Sequence, residues 1–110
     1  MSFAICADIE HENHAKNAKN TNSSFYLPSI FYSKSGIDSG LDKLKSYAKS
    51  NSLHIIMSNY CGTNWNIEAG GKSCYINDKG EMIAQLTQNQ EGLVLVNLSD
   101  KEIKTETIAF

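Results

Sequence analysis

The apolar positions of the chain fall into short runs separated by amphipathic stretches and by glycine- and asparagine-rich breaks. Phe3 to Ala7 is an apolar run closed by Asp8, which predicts a buried strand. From Glu10 to Asn20 the chain is polar with Ala15 and Ala18 on one side, the pattern of a helix packed through small residues, and Glu10 and Glu12 suit its first turn. Ser24 to Phe31 is aromatic and β-prone, with Pro28 expected at the strand's end or on a sheet edge. After a loop over Ser33 to Gly40, Ile37, Leu41, Leu44 and Ala48 recur at helical spacing, with Asp38 as the expected cap. Leu53 to Ser58 predicts another buried strand, and Asn59 to Gly71 a long loop carrying Trp65. Ser73 to Ile76 and Met82 to Leu86 flank Asn77-Asp78-Lys79-Gly80, which predicts a hairpin. Gly92 to Leu98 reads as a final strand, and Ser99 to Phe110 as a tail or arm. The predicted order is β-α-β-α-β-β-β-β, an α/β sheet covered by helices on at least one face and extended by its last strands.

Composition narrows what such a sheet serves. With 110 residues, 41% of them hydrophobic, the chain suits one modest core. Ten lysines, no arginine and twelve acids leave a net charge of −2. Without clustered lysine or any guanidinium fork, the chain is not expected to bind nucleic acid. Its apolar runs are far short of the roughly 20 residues of a membrane span, and the first residues lack a positively charged leader, so a cytoplasmic setting without membrane contact is expected. Cys6, Cys61 and Cys74 have neither disulfide-framework nor zinc-knuckle spacing.

Cys6 stands out by position. A cysteine where a strand hands over to a helix lies at the carboxyl edge of a sheet, and the amides that follow favour both thiolate and a developing oxyanion. A small buried hydrophobe fits the same residue. His11 and His14 lie among Asp8, Glu10 and Glu12, but no third ligand at metal-site spacing accompanies them, so no metal and no cofactor is expected. His11 as a base for Cys6 would need a geometry that spacing cannot supply. Cys61 and Cys74 read as packing residues, and Glu68, Glu81 and Glu91 as surface.

Several segments in order then resemble one family. Ala4-Ile5-Cys6-Ala7-Asp8-Ile9, Tyr26-Leu27-Pro28-Ser29, Leu44-Lys45-Ser46-Tyr47-Ala48, Ile56-Met57-Ser58-Asn59-Tyr60-Cys61-Gly62, Ala69-Gly70-Gly71-Lys72-Ser73, Asn77-Asp78-Lys79-Gly80-Glu81 and Glu91-Gly92-Leu93-Val94 resemble the nitrilase superfamily of carbon-nitrogen hydrolases. The resemblance covers residues 3 to 98. It implies the C-terminal half of an α-β-β-α sandwich, with 1–98 as a partial hydrolase domain and 99–110 as the tail. It also implies a Glu-Lys-Cys triad in which a thiol attacks an amide or nitrile carbon and a thioester is then hydrolysed. Cys6 matches the nucleophile and Ala7 supplies the backbone oxyanion donor. The family's Glu and Lys precede the cysteine and match nothing here, so the chain alone is expected to be inactive. Glu10-His11-Glu12-Asn13 departs from the family's pattern just beyond the nucleophile. Ser29, Asn59 and Tyr60 follow strands on the substrate-binding edge and are candidate substrate contacts, though each residue type equally serves strand-end hydrogen bonding.

Half of such a sandwich leaves a sheet face open, beyond the roughly 300–600 Å² of apolar patch that monomers tolerate. A complementing N-terminal half or a second copy is the expected partner, beside a small amide or nitrile substrate. Two other readings use the same residues: a non-catalytic interaction module that keeps half of the sandwich, and a thiol redox protein, for which a resolving cysteine at Cys-x-x-Cys spacing is lacking.

Overall fold

The computed structural model describes residues 1–60, 63–64, 67–87, 92–96 and 103–107, the last two stretches and 6–7 and 63–64 by their main chain. Five strands lie side by side, in chain order, in one mixed sheet. β1 (Ser2–Ile5), β2 (Phe25–Ile30) and β3 (His54–Asn59) run parallel, and β6 (Cys74–Ile76) and β7 (Met82–Gln85) continue antiparallel. The crossovers between the parallel strands carry α1 (Glu12–Asn20) and α2 (Ile37–Asn51), as a parallel connection requires.

Alternation sorts the sheet's side chains into two faces. Ala4, Tyr26, Ile30, Ile55, Met57, Cys74 and Ile76 form one core with Ala15 and Ala18 of α1 and Leu41, Leu44 and Ala48 of α2. The small residues of α1 let that helix approach closely, and the i, i+4, i+7 row of α2 faces the sheet as its spacing requires. On the opposite face Phe25, His54 and Tyr75 stack in a row across three strands, and the His54 ring and the Tyr75 hydroxyl lie in hydrogen-bond contact at 2.7 Å. Toward the β1 edge of that face Phe3 and Ile5 are 69% and 71% exposed.

The elements lie broadly where the apolar pattern puts them, with several local differences. Pro28 sits inside an interior strand. Its missing N–H is accommodated by a gap in the ladder: β2 pairs Phe25 with His54 and Tyr26 with Ile55, then resumes at Ser29 with Ser58, skipping Leu27 and Pro28. Asp38 does not cap α2; Gly36 holds that position, and Asp38 in the first turn accepts a hydrogen bond from Lys72 Nζ at 2.8 Å. The long loop contains a two-residue hairpin, β4 (Thr63–Asn64) with β5 (Ile67–Glu68). The last segments do not extend the sheet order. β8 (Gly92–Val96) pairs antiparallel with β9 (Ile103–Thr107), so the region read as a tail contains a strand, and this ribbon lies near β6 and β7.

The β6–β7 turn forms as its residues dictate. Asn77 Oδ1 accepts from the N–H groups of Lys79 and Glu81, and Gly80 takes φ +80°, a conformation that favours glycine. Among the described residues no helix is long and apolar enough to cross a membrane. Leu44→Ala, at a fully buried position of α2, is expected to lower the unfolding free energy by about 2–5 kcal/mol. Phe3→Ser should change it by no more than about 0.5 kcal/mol. Urea titrations of the two variants measure the contrast.

Candidate functional site

The three parallel strands end together. Ile5 lies beside Ser29, and Ser29 beside Ser58, so the carboxyl ends of β1, β2 and β3 form one edge. There the chain leaves β1 at Ile5, two residues earlier than the apolar run to Ala7 suggests, and enters a 3-10 helix over Cys6–Glu10. Cys6 and Ala7 are therefore its first two residues. α1 begins at Glu12, two residues later than the expected start at Glu10, so the amides that follow Cys6 belong to the 3-10 turn and not to α1.

This short turn is tied down along its length. Asp8 Oδ2 accepts the Ile5 N–H at 3.0 Å, which stops the strand and starts the turn. The buried Tyr47 hydroxyl of α2 donates to the Ile9 carbonyl at 2.6 Å, while the Ile9 side chain is buried in the core. At the end of the turn, Lys43 Nζ donates to Glu10 Oε2 and the Tyr32 hydroxyl to Glu10 Oε1, the latter at 3.0 Å. The Lys43 hydrogen bond, and then that of Tyr32, hold the Glu10 carboxyl below its ordinary 4.5. A carboxylate so stabilised is a poor proton acceptor, and Glu10 does not suit the role of a general base. Gly40 completes this anchor, because a Cβ there would stand 2.3 Å from the Tyr32 ring.

The other candidates divide clearly. Ser29 is exposed at the edge of β2. Tyr60 is 41% exposed and stacks on Phe31, 39% exposed, with ring centroids 5.4 Å apart, so an aromatic pair stands just past the ends of β3 and β2. Asn59 is engaged with main chain. Its Oδ1 accepts the Tyr32 N–H at 2.9 Å, and its Nδ2 donates to the carbonyls of Tyr32 and Gly71. Its amide thus braces the wall that carries Tyr60. Cys61 and Trp65 lie outside the described residues, as does Glu91.

His11 and His14 do not come together as ligands. His14 Nδ1 is 2.7 Å from the Tyr26 hydroxyl and its Nε2 lies 3.7 Å from Asp8, whereas His11 is the main-chain cap of α1. No cluster of three metal-ligating side chains occurs among the described residues. Cys74 is fully buried, and burial pushes its thiol up to about 12, as suits a packing residue. The Asp8 contact was missed by the sequence reading, although an acid three residues past the last strand residue is a spacing that could have pointed to it. It held no sign of Lys43, Tyr32 and Tyr47, which arrive from far along the chain.

Residues 1–105 match the carbon-nitrogen hydrolase family model. Among solved structures, a carbon-nitrogen hydrolase from Helicobacter pylori G27 superposes with a TM-score of 0.72 at 16% identity, over 97% of this chain and 39% of that one. Saccharomyces cerevisiae Nit3, of branch 10 of the nitrilase superfamily, gives 0.74 at 14% identity over 96% of this chain and 35% of its own. An amidase variant from Nesterenkonia sp. AN1, with the acetamide moiety of fluoroacetamide added covalently at its active-site cysteine, gives 0.68 at 17% identity over 79% and 33%. The chain thus spans little more than a third of the length of these structures. No curated protein sequence matches it significantly.

The Glu10–Lys43 anchor has a pH signature. Because the folded Glu10 value is lowered, its stabilisation is present above 4.5 and is lost as pH falls through the folded value; because that of Lys43 is raised, its share is present below 10.5 and is lost above it. Lys43→Met should therefore melt below the parent protein across neutral pH, with the gap closing as the pH drops below 4.5. Melting temperatures from pH 3 to 9 (about that window) measure it, and a gap of constant size would assign the effect to packing.

Proposed function

Given that this chain belongs to the carbon-nitrogen hydrolase family, we propose that it carries the nucleophile of an amidase-like reaction, with Cys6 in that role. The observation that supports this most directly is the position of Cys6. It opens a turn anchored on three sides at the shared carboxyl edge of the parallel strands, in a segment covered by the family match. The thiolate attacks the carbonyl carbon of a small amide, and the main-chain N–H of Ala7 receives the oxyanion. The carbon-nitrogen bond then breaks, the leaving amine takes a proton from a general acid, and a thioester remains. Water attacks that thioester, giving up a proton to the same group acting as base, and the acid product leaves with the thiol restored. A nitrile enters the same path through a thioimidate.

The proton-transfer glutamate and the oxyanion lysine are assigned to a part of the family domain outside this chain, because Glu10 is committed to Lys43 and Tyr32. The same missing part is the proposed partner for the face bearing Phe3 and Ile5, consistent with a chain that spans 39% of a structural relative. Ser29 and Tyr60 would line the acyl pocket, with Asn59 holding its shape, and a cytoplasmic setting suits a reactive thiol. The exposed apolar face also favours a second reading, in which the chain is a non-catalytic module binding through that face.

Fluoroacetamide separates the two. The hydrolase reading expects a covalent acetamide adduct mapped to Cys6 by mass spectrometry, and loss of at least about a hundredfold of amide hydrolysis in Cys6→Ala when the rest of the domain is supplied. Full activity in Cys6→Ala would remove Cys6 from the reaction. Binding of the remaining domain without any adduct would favour the interaction module.

A further inference from the structure

Behind the nucleophile turn runs a line of polar groups that the proposed reaction leaves unused. Tyr26 is fully buried in the middle of the sheet, and its hydroxyl lies 2.7 Å from His14 Nδ1 on α1. Burial, helped by the nearby Asp8 carboxylate, pushes the phenol up to about 12, and since His14 Nδ1 is the one hydrogen-bond partner this buried hydroxyl meets among the described residues, its proton is directed to Nδ1. With Nδ1 accepting, a neutral His14 carries its proton on Nε2, and that nitrogen lies 3.7 Å from Asp8 Oδ2, an electrostatic contact longer than a hydrogen bond. The same carboxylate oxygen accepts the Ile5 N–H. Two groups, the Ile5 N–H of β1 and His14 Nε2 of α1, therefore meet at one oxygen atom of Asp8, and Tyr26 reaches it through His14.

We propose that Tyr26 and His14 are positioning residues for the nucleophile turn: by fixing the imidazole tautomer they present an N–H to Asp8, hold its carboxylate on the Ile5 N–H, and so set the backbone of Cys6 and Ala7. The inference rests on the reading of Cys6 as the nucleophile for its meaning, though not for its physics. A carboxylate two residues from the thiol also bears on thiolate formation, so a displaced Asp8 changes the reactivity of Cys6. The Glu10–Lys43 and Ile9–Tyr47 anchors hold the far end of the turn, whereas the Asp8 contact with Ile5 N–H spans its first residues.

The test uses the whole chain with Cys61→Ser, so that Cys6 is the reporting thiol while Cys74, at about 12, stays silent. Tyr26→Phe, His14→Gln and the double variant are compared by amide hydrogen exchange at Ile5 and by the pH profile of Cys6 alkylation with iodoacetamide. The expected result is Ile5 exchange roughly tenfold faster in each single variant and no faster in the double one, because the residues act as a unit. The alkylation midpoint should move by about 0.5 pH unit or more in each, and the amides of Ile55 and Met57 should keep their protection. Nitrogen-15 shifts should place the His14 proton on Nε2 in the parent protein. Ile5 exchange within about twofold of the parent, multiplicative effects in the double variant, or equal acceleration at Ile55 and Met57 would each overturn the proposal. Hydrolysis enters none of these measurements, so loss of the amidase reading and loss of this one are told apart.

Discussion

A parallel strand next to another parallel strand has no local reason to stop, and in this protein the stop is supplied by one carboxylate. Asp8 satisfies the Ile5 N–H from three residues ahead and turns the chain into a 3-10 helix at Cys6. Had the strand continued to Ala7, successive side chains would have alternated between the helix-covered core and the open face. The turn instead brings both residues to the rim of the sheet, where β2 and β3 also end. Ser29, Phe31, Asn59 and Tyr60 share that rim because the parallel register aligns the strand ends, and the Asn59 bonds to Tyr32 and Gly71 together with the Phe31–Tyr60 stack brace it.

Much of this architecture was legible in the sequence because it follows from periodicity. The helical row Ile37, Leu41, Leu44, Ala48 lies on the core face of α2, and the Asn77–Gly80 turn joins two strands through the side-chain bonds that its residues favour. Pro28 was misplaced by the same logic: a rule about ladder donors says where proline is costly, while a local gap in pairing between two otherwise regular strands removes that cost. Asp38 looked like a cap because caps and ion-pair partners draw on the same residue types, and only the fold reveals Lys72 opposite it.

The candidate site was readable to a lesser depth. Cys6 could be singled out from its position after an apolar run and from the ordered family segments, and residues 1–105 do match that family. What supports the cysteine could not be. Lys43 and Tyr47 reach the turn from the far side of a crossover, and Tyr26 meets His14 through the thickness of the core. Such contacts carry no spacing signature, because they are set by how layers pack.

The sequence distance of those anchors carries an entropic cost. Glu10 and Lys43 are separated by 33 positions and Ile9 and Tyr47 by 38, so each tether closes a loop that contains α1, β2 and a large part of α2. Closing such loops costs entropy before any contact repays it. The turn that opens at Cys6 is thus fastened at one end by a contact three positions long and at the other by closures that the packed core has to offset.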